Sequence, residues 1–579
     1  MTKTHVIAST AAGALAVFLF SLFPITDFDI WFHLAEGKLM IQNWYFPYTD
    51  VFSYTAQGAP NYPNSWGFTA FSYAAFKLLG LDGLNIIKAA FPALIFCLIA
   101  FFLYRQKLLS WFGLIFPVAA LFSMRESLSL RPHTFTYLPF AGFLLALSWY
   151  RDSRSTKAIC FLAGIQFFWV NIHASSVWGP ALAILFLGAE YLKTHTFHKK
   201  DVLLVLAVFS AASLHVFYGP SYLFRIVTEF FTPSAQAPIR EALPLTIETF
   251  FSFQGIILLF VPLLLFLAYK KRHYEFIVFP IALLAVSFFN GRFLRDLTIF
   301  LAVAVPLYIP MCETWFHTTL LRGAKIPSWI GPFALGILLF VLFLLAKNSP
   351  LGIGLGLEKF AYPVKAVQFL QENRILELSK SNLYHTYNFG GYLMWTNQPY
   401  GVYIDGRVRP YHGEVFNRYW DNFEGGRTWM DTVQRYHIGA ALMTLAHTDG
   451  TTIYNDSSRM FPKEEWALVY YDDIAALYVR RMDELQQFIQ QNEYTILKPQ
   501  ALDLSYLQEY AKSEKSFQEA RGEVQRGLST NPDSYRLHFT AAYLYSLAGL
   551  NNQMREELEK TLKINPYFQP AKNVLELSV

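Results

Sequence analysis

Two aspartates and a histidine closely follow the first apolar segment of the chain, which ends near Phe23. Asp29 and His33 are four residues apart, so they share one face if the segment is helical. That face could bind a substrate hydroxyl, whose proton the carboxylate takes while the imidazole orients it. It could instead hold a divalent cation, Mg²⁺ or Mn²⁺, on Asp27, Asp29 and His33. The alternative without chemistry is that one aspartate caps the helix beginning near Asp29.

Cationic and polar side chains recur in four later stretches that would lie on the same face of a membrane. They are Arg125, Arg131, His133, Asn171, His173, Tyr218, Arg292 and Arg295. Ionisable groups near the hydrocarbon of a bilayer are costly and usually mark a site. The competing interpretation is that the arginines reach to lipid headgroups and the histidines cap helix ends. The convergence of separate stretches favours a site.

Membrane helices are the elements that must position these residues. Of the 579 residues, 54% are hydrophobic and 15% are charged, and the apolar blocks lie between residues 6 and 347. Most blocks approach the ~20 residues that cross a bilayer. The sequence therefore predicts a multi-pass α-helical membrane protein with about eleven transmembrane helices. They are predicted at residues 6–24, 84–104, 110–124, 132–150, 157–172, 176–192, 201–218, 251–269, 274–290, 296–312 and 327–347.

The lysines and arginines set the predicted orientation. The segment 65–80 is apolar but short, so we interpret it as a helix at the outer interface. Short cytoplasmic loops carry an excess of positive charge, and alternate loops are then basic, with charges that include Arg105, Arg151, Lys193, Lys270 and Arg322. This pattern predicts a cytoplasmic N-terminus in a bacterial inner membrane and a periplasmic chain after Lys347.

Charge and cysteine content exclude other classes. The net charge of +5 is small for this length, and the basic residues sit in short loops, which is not the pattern of a nucleic-acid-binding protein. The three cysteines, Cys97, Cys160 and Cys312, fall in apolar segments, so they predict neither a metal site nor a disulfide. We expect the protein to contact membrane lipids and to bind no nucleic acid.

Two regions follow the membrane domain, which we place at 1–350 with an outer loop at 25–82. Residues 358–481 are predicted to form a soluble α/β domain, with strands at 382–387, 401–404, 439–445, 466–471 and 475–479. Residues 500–579 are predicted to be helical. There Asn531-Pro532 recurs 34 residues later as Asn565-Pro566, the tetratricopeptide (TPR) period. Such a TPR-like segment could bind a protein partner or simply cap the preceding domain.

Several candidate residues lie in longer motifs. Asp27 to Gly37 reads D-x-D-x-W-x-H-L-x-x-G, and Pro47 to Thr55 reads P-x-T-D-x-F-S-Y-T, ahead of Ser65-Trp66. This pattern resembles the first outer loop of bacterial glycosyltransferases of the GT-C superfamily. Further similar segments are Trp169 to His173, Tyr218-Gly219-Pro220, Tyr387 to Leu393 and Ile404-Asp405-Gly406-Arg407. The resemblance extends over roughly residues 1–480.

The resemblance implies a sugar donor on a polyprenyl phosphate, with the phosphate at the outer headgroup level. Asp29 or Asp27 would take the proton from the acceptor hydroxyl. Guanidinium groups match phosphate oxygens two at a time, so the leaving phosphate would be stabilised by Arg125, Arg131, Arg292 and Arg295. Supporting positions would be His133, Asn171, His173 and Tyr218. The acceptor would be an envelope glycan, a lipid or a protein.

Two other functions compete with transfer. A transporter would want polar groups at mid-membrane and broken helices in matching halves, whereas the polar groups here lie at one end of the spans. A non-catalytic assembly protein of an envelope or export pathway would not need both Asp27 and Asp29. For Asp405-Gly406-Arg407 we favour a tight turn with an exposed salt bridge over a catalytic role.

Overall fold

The computed structural model describes residues 3–61, 63–231, 253–315, 327, 329–397, 399–411, 413–445, 459–499 and 503–577. The basic loop predicted at Arg322 and the first residues of the span predicted at 251–269 lie outside these ranges. The chain divides into two compact units. The membrane unit comprises Met1–Asp27, Glu36–Phe46 and Tyr62–Gly356, and the C-terminal unit comprises Phe28–Ala35, Pro47–Asn61 and Leu357–Val579.

Apolar helices build the membrane unit. By length and composition, four helices of the described chain can cross a bilayer, or five if the bent pair Phe293–Leu307 and Ile309–Trp315 is one span. A multi-pass helical membrane protein is thus confirmed, but the number eleven is not. Other predicted spans are shorter helices, such as Trp111–Ser123 with 13 residues and Thr156–Val170 with 15.

The helices of this unit have the following bounds: Lys3–Ser21, Trp66–Arg105, Trp111–Ser123, Pro132–Ser153, Thr156–Val170, Trp178–Thr194, Lys199–Ala212, Ser221–Phe231, Phe253–Ile256, Phe260–Lys271, Glu275–Phe289, Phe293–Ala304, Ile309–Trp315 and Ile330–Lys347. Helix Asp29–Gln42 begins in the C-terminal unit, and its residues from Glu36 onward belong to the membrane unit. The helices pack around an apolar interior, while Phe168, Leu259 and Phe289 are 68, 74 and 77% exposed. Large apolar side chains this exposed suit lipid better than water.

A glycine interrupts the longest helix. Trp66–Arg105 has non-helical backbone angles at Gly80, with φ +68° and ψ −166°. Glycine reaches positive φ at little steric cost, so the break falls where a side chain would strain the backbone. The break coincides with the end of the segment predicted at 65–80, whose place at the outer interface stays a prediction.

A four-stranded mixed sheet organises the C-terminal unit. Its strands are β1 (Asn382–His385), β2 (Ile438–Thr444), β3 (Trp466–Tyr471) and β4 (Ala475–Arg480), in the order β1-β2-β4-β3. β1 and β2 are parallel, whereas β4 is antiparallel to both β2 and β3. The surrounding helices are Val364–Glu372, Ile375–Ser379, Gly390–Thr396, Glu414–Asp421, Gly426–Arg435 and Gln486–Asn492.

The strand predicted at 401–404 is wrong. Val402 makes a single bridge with Ser53, supported by its N–H donating to the carbonyl of Phe52 at 3.0 Å. The apolar run at 401–404 is therefore buried against a segment from the first outer loop, and it is not part of the sheet. Local alternation of apolar residues cannot distinguish these two kinds of burial.

The chain ends in four helices, Glu514–Thr530, Tyr535–Leu547, Asn551–Ile564 and Gln569–Leu577. The turn between β3 and β4 caps the second of them. Asp473 accepts hydrogen bonds from the Ser534 hydroxyl at 2.7 Å and from the backbone N–H of Arg536 at 3.0 Å. Asn531, the first residue of the repeated dipeptide, donates to the carbonyl of Tyr471 at 3.1 Å. These helices are thus fastened to the sheet, while their assignment as a TPR-like repeat stays a prediction.

Candidate functional site

Asp27 and Arg131 form an ion pair in the membrane unit. Asp27 is 5% exposed, and Arg131 directly precedes helix Pro132–Ser153. Two residues from loops about a hundred positions apart therefore meet. A carboxylate this buried requires a partner, and Arg131 supplies it.

Five basic side chains, here called the basic cluster, gather near this ion pair: Arg131, His133, His173, Arg292 and Arg295. The Nη1 of Arg295 lies 3.5 Å from the Nε2 of His133. Arg131 and His173 are close enough to act electrostatically on the His133 ring, and Arg292 acts in the same way on His173. The structure thus brings these five residues together, and the concentration of positive charge suits an anion.

His173 is a neutral hydrogen-bond donor in this arrangement. Burial, and then the nearby Arg292 guanidinium, lower the pKa of His173 to about 4. Its Nδ1 accepts a hydrogen bond from the backbone N–H of Ser175 at 3.1 Å. The single ring proton at neutral pH therefore lies on Nε2. That N–H can donate to an oxygen without adding charge.

Arg125 has a different position from the one that the sequence suggested. Its Nε donates to the carbonyl of Phe20 at 2.7 Å, its Nη1 to the Ser349 hydroxyl at 2.8 Å, and its Nη2 to the carbonyl of Gly352. All three nitrogens are thus engaged within the membrane unit, and the residue is 5% exposed. These contacts show that Arg125 holds helix ends together, and its predicted role in binding phosphate stays a prediction.

Asn171 and Tyr218 also have packing roles. The Asn171 side-chain oxygen accepts hydrogen bonds from the Trp66 indole at 2.9 Å and from the backbone N–H of Val216 at 3.1 Å. The Tyr218 ring lies 5.1 Å from the His215 ring, and the Arg225 guanidinium is 4.5 Å from its centroid. Asn171 thus joins two of the motif segments, Ser65-Trp66 and Trp169 to His173.

Asp29 and His33 lie in the first two turns of helix Asp29–Gln42. A Cβ atom on Gly406 would come within 2.6 Å of the Asp29 Oδ1 and 3.3 Å of the Phe32 ring. His33 is 6% exposed, and its ring centroid lies 4.2 Å from that of Phe32. The candidate base is therefore packed against the Asp405-Gly406-Arg407 turn, and a Cβ atom at Gly406 would displace its carboxylate.

The salt bridge of that turn is buried, which corrects the expectation of an exposed one. Arg407 donates to Asp405 at 2.7 Å and to Asp50 at 2.6 Å, and the three side chains are at most 3% exposed. The Tyr411 hydroxyl donates to Asp405 at 2.5 Å, and that of Ser53 to Asp50 at 2.5 Å. Burial would raise the pKa of Asp405, but the Arg407 guanidinium and the hydrogen bonds lower it by more.

A Gly406→Ala substitution is expected to slow the chemistry of Asp29 by about 10²-fold, because ångström-scale misplacement of a catalytic group costs that much. The measurement is the rate of sugar transfer, the activity that the resemblance of the first-loop motifs implies, with thermal unfolding of the full chain as a check of the fold. Gly522→Ala is the matched control, since a Cβ atom there meets nothing within 4 Å. Equal transfer rates for the Gly406→Ala variant and the parent would refute this positioning of Asp29.

The predicted metal site on Asp27, Asp29 and His33 stays a prediction. Within the described ranges, no three His, Cys, Asp or Glu side chains lie close enough to hold a metal ion together. Asp27 is already paired with Arg131. We therefore derive no step of the reaction through a cation.

Two features of these sites escaped the sequence analysis. Lys88, 1% exposed on helix Trp66–Arg105, lies close enough to Asp27 to interact with it electrostatically. A lone lysine in an apolar span is a signal that could have identified it. The pairing of Asp50 with Arg407 had no local signal, because the partners are some 350 residues apart.

Similar folds occur among proteins of known structure. No protein-family model matches the sequence, and no curated protein matches it. Among solved structures, the apo oligosaccharyltransferase of Archaeoglobus fulgidus superposes with a TM-score of 0.57 at 12% identity, over 83% of this chain and 75% of that one.

The archaeal oligosaccharyltransferase AglB from Archaeoglobus fulgidus, in complex with an inhibitory peptide and a dolichol-phosphate, gives a TM-score of 0.58 at 11% identity, over 94% of this chain and 86% of that one. The chain has a GT-C-type fold. The resemblance inferred from the first-loop motifs is thereby confirmed for the GT-C-type fold, and this fold extends beyond the membrane helices into the C-terminal unit. At such low identity the likeness concerns the fold, and the reaction has to be argued from the residues of this chain.

Proposed function

We propose that this protein is a GT-C-type glycosyltransferase that moves a sugar from a polyprenyl-phosphate-linked donor to an acceptor. The observation that carries the proposal is the basic cluster, with three arginines and the neutral donor His173 grouped beside the buried carboxylate of Asp27. A dolichol-phosphate is bound in one solved structure of similar fold, which supports a phosphate-linked lipid as the ligand of this chain.

In the proposed reaction, Arg292, Arg295 and Arg131 neutralise the donor phosphate, and the Nε2–H of His173 donates a hydrogen bond to a phosphate oxygen and keeps its proton. The acceptor oxygen bonds to the anomeric carbon as the bond between that carbon and the phosphate oxygen breaks. The acceptor proton passes to the carboxylate of Asp29, and the phosphate stays with the lipid. The arginines contribute most where charge develops on the leaving oxygen.

The finer parts of the proposal concern place and partners. We propose eleven spans, a cytoplasmic N-terminus and a C-terminal unit on the periplasmic side of a bacterial inner membrane, as the basic loops predict. The acceptor is an envelope glycan, a lipid or a protein, and the inhibitory peptide in the related structure supports a protein. The TPR-like helices would bind a further protein partner.

A transfer assay tests the proposal directly. The full chain in proteoliposomes is given undecaprenyl-phosphate-linked sugar, and envelope glycans and glycoproteins from cells with and without the protein are compared by mass analysis. A glycan that disappears with the protein supports transfer. Identical envelopes together with no turnover of the donor would favour the alternative of a non-catalytic assembly protein.

Replacing Arg295 by glutamine is expected to weaken binding of undecaprenyl phosphate about tenfold or more, because a hydrogen bond to a charged group contributes ~1.5–3 kcal/mol. The measurement is a binding titration of the full chain in detergent. Arg105→Gln, at an exposed position at the end of helix Trp66–Arg105, is the matched control. An unchanged affinity in the Arg295→Gln variant would contradict the assignment of the basic cluster to phosphate.

A further inference from the structure

The turn that leads from the first helix to Asp27 is held by two basic side chains. The Nζ of Lys88 donates to the carbonyl of Phe23 at 2.6 Å and lies 3.3 Å from the centroid of the Phe23 ring. Arg125 approaches the same ring at 5.0 Å and donates to the carbonyl of Phe20. Phe23 itself is 1% exposed, so this contact is closed to solvent.

Other bonds hold the turn but leave one carbonyl to Lys88. The N–H of Ile25 donates to the carbonyl of Gly356 at 2.9 Å, and the N–H of Gly354 donates to the carbonyl of Leu22 at 2.9 Å. Among the described residues, the Phe23 carbonyl is the one hydrogen-bond acceptor of the Lys88 Nζ. Since Lys88 is 1% exposed, its buried amine is committed to this one backbone oxygen of the turn.

Burying a lysine within an apolar helix is costly, so the residue has to be explained. Lys88 is 1% exposed, and Asp27 lies close enough to interact with it electrostatically. Asp27 lies four residues after Phe23 and forms the ion pair with Arg131. Lys88 is therefore connected to Asp27 through the backbone of the turn.

We infer that Lys88 is a positioning residue for the phosphate site. It fixes the turn that presents Asp27, and Asp27 in turn orients Arg131 of the basic cluster. This inference rests on the proposed function, because it assumes that Arg131 faces the donor phosphate. Lys88 itself contacts neither the donor nor the acceptor.

The test measures binding of undecaprenyl phosphate to the full chain in detergent for the parent, Lys88→Met and Lys88→Gln. Methionine keeps the length of the side chain without a donor, whereas glutamine keeps a neutral N–H. We expect Lys88→Met to weaken binding about tenfold and Lys88→Gln to retain most of the affinity. Lys77→Met, at an exposed position of the same helix, is the control and should bind like the parent.

A double-mutant cycle separates positioning from general stability. If Lys88 acts through Asp27, the Lys88→Met substitution adds no further loss of affinity in an Asp27→Asn background. Additive losses would overturn the inference, and so would equal affinities of the Lys88→Met variant and the parent, or equal losses for the Met and Gln variants. If Lys88→Met fails to fold, the affinity of Lys88→Gln decides, with a tenfold loss counting against the inference. Failure of the parent to bind undecaprenyl phosphate would instead refute the proposed function.

Discussion

Asp29→Asn is expected to lower the rate of sugar transfer by about 10²- to 10⁴-fold, the usual contribution of a general base. Asparagine has nearly the shape of aspartate, so the packing against Gly406 is retained while the ability to accept a proton is lost. The variant should therefore unfold at the parent's temperature and bind undecaprenyl phosphate normally. The measurement is single-turnover transfer from the lipid-linked donor, which separates chemistry from binding.

Two further variants serve as comparisons for Asp29→Asn. Asp82→Asn replaces an exposed carboxylate of helix Trp66–Arg105 and should transfer sugar like the parent. Asp27→Asn should lower affinity for the phosphate, because Arg131 loses its ion-pair partner. Full activity in Asp29→Asn combined with a lost chemical step in Asp27→Asn would transfer the role of base to Asp27.

Arg407→Met is expected to destabilise the protein by ~3–5 kcal/mol, the usual cost of removing one partner from a buried ion pair. Asp50 and Asp405 would be left as two neighbouring carboxylates, with side chains at 0% exposure and no counter-ion between them. The measurement is thermal unfolding of the full chain in detergent, followed by tryptophan fluorescence. The exposed ion pair of Arg374 with Glu377 provides the control, since Arg374→Met should leave unfolding near that of the parent.

The buried ion pairs of Arg407 with Asp50 and Asp405 also predict how the stability of the protein depends on pH. The pKa of Asp405 is lower in the folded protein than the ~3.9 of an unfolded chain. The ionised Asp405 therefore stabilises the folded protein fully at pH values above the unfolded pKa. This stabilisation is lost as the pH falls through the folded pKa. The parent should lose stability on acidification more steeply than a variant carrying Asp50→Asn, Asp405→Asn and Arg407→Met.

If the Arg407→Met variant unfolded at the same temperature as the parent, the ion pairs of Arg407 would not hold the first-loop segment.

Several properties of the protein follow from its sequence alone. Long apolar blocks identify a membrane protein, because burial in lipid requires each span to be apolar over its whole length. Ionisable residues beside such blocks are rare and costly, so Arg131, His133, His173, Arg292 and Arg295 could be singled out without a structure. The motif around Asp27 and Asp29 sufficed to predict the fold.

The pairing of remote segments was decided only by the tertiary structure. Arg125 and Arg295 cannot be distinguished by the sequence. In the structure, Arg125 donates hydrogen bonds to carbonyls near the ends of other helices, whereas Arg295 belongs to the basic cluster. Asp50 could not be matched with Arg407, nor Lys88 with the Phe23 carbonyl. The physical reason is that periodicity reports which side of an element is buried, whereas hydrogen bonds and ion pairs depend on which distant element arrives there.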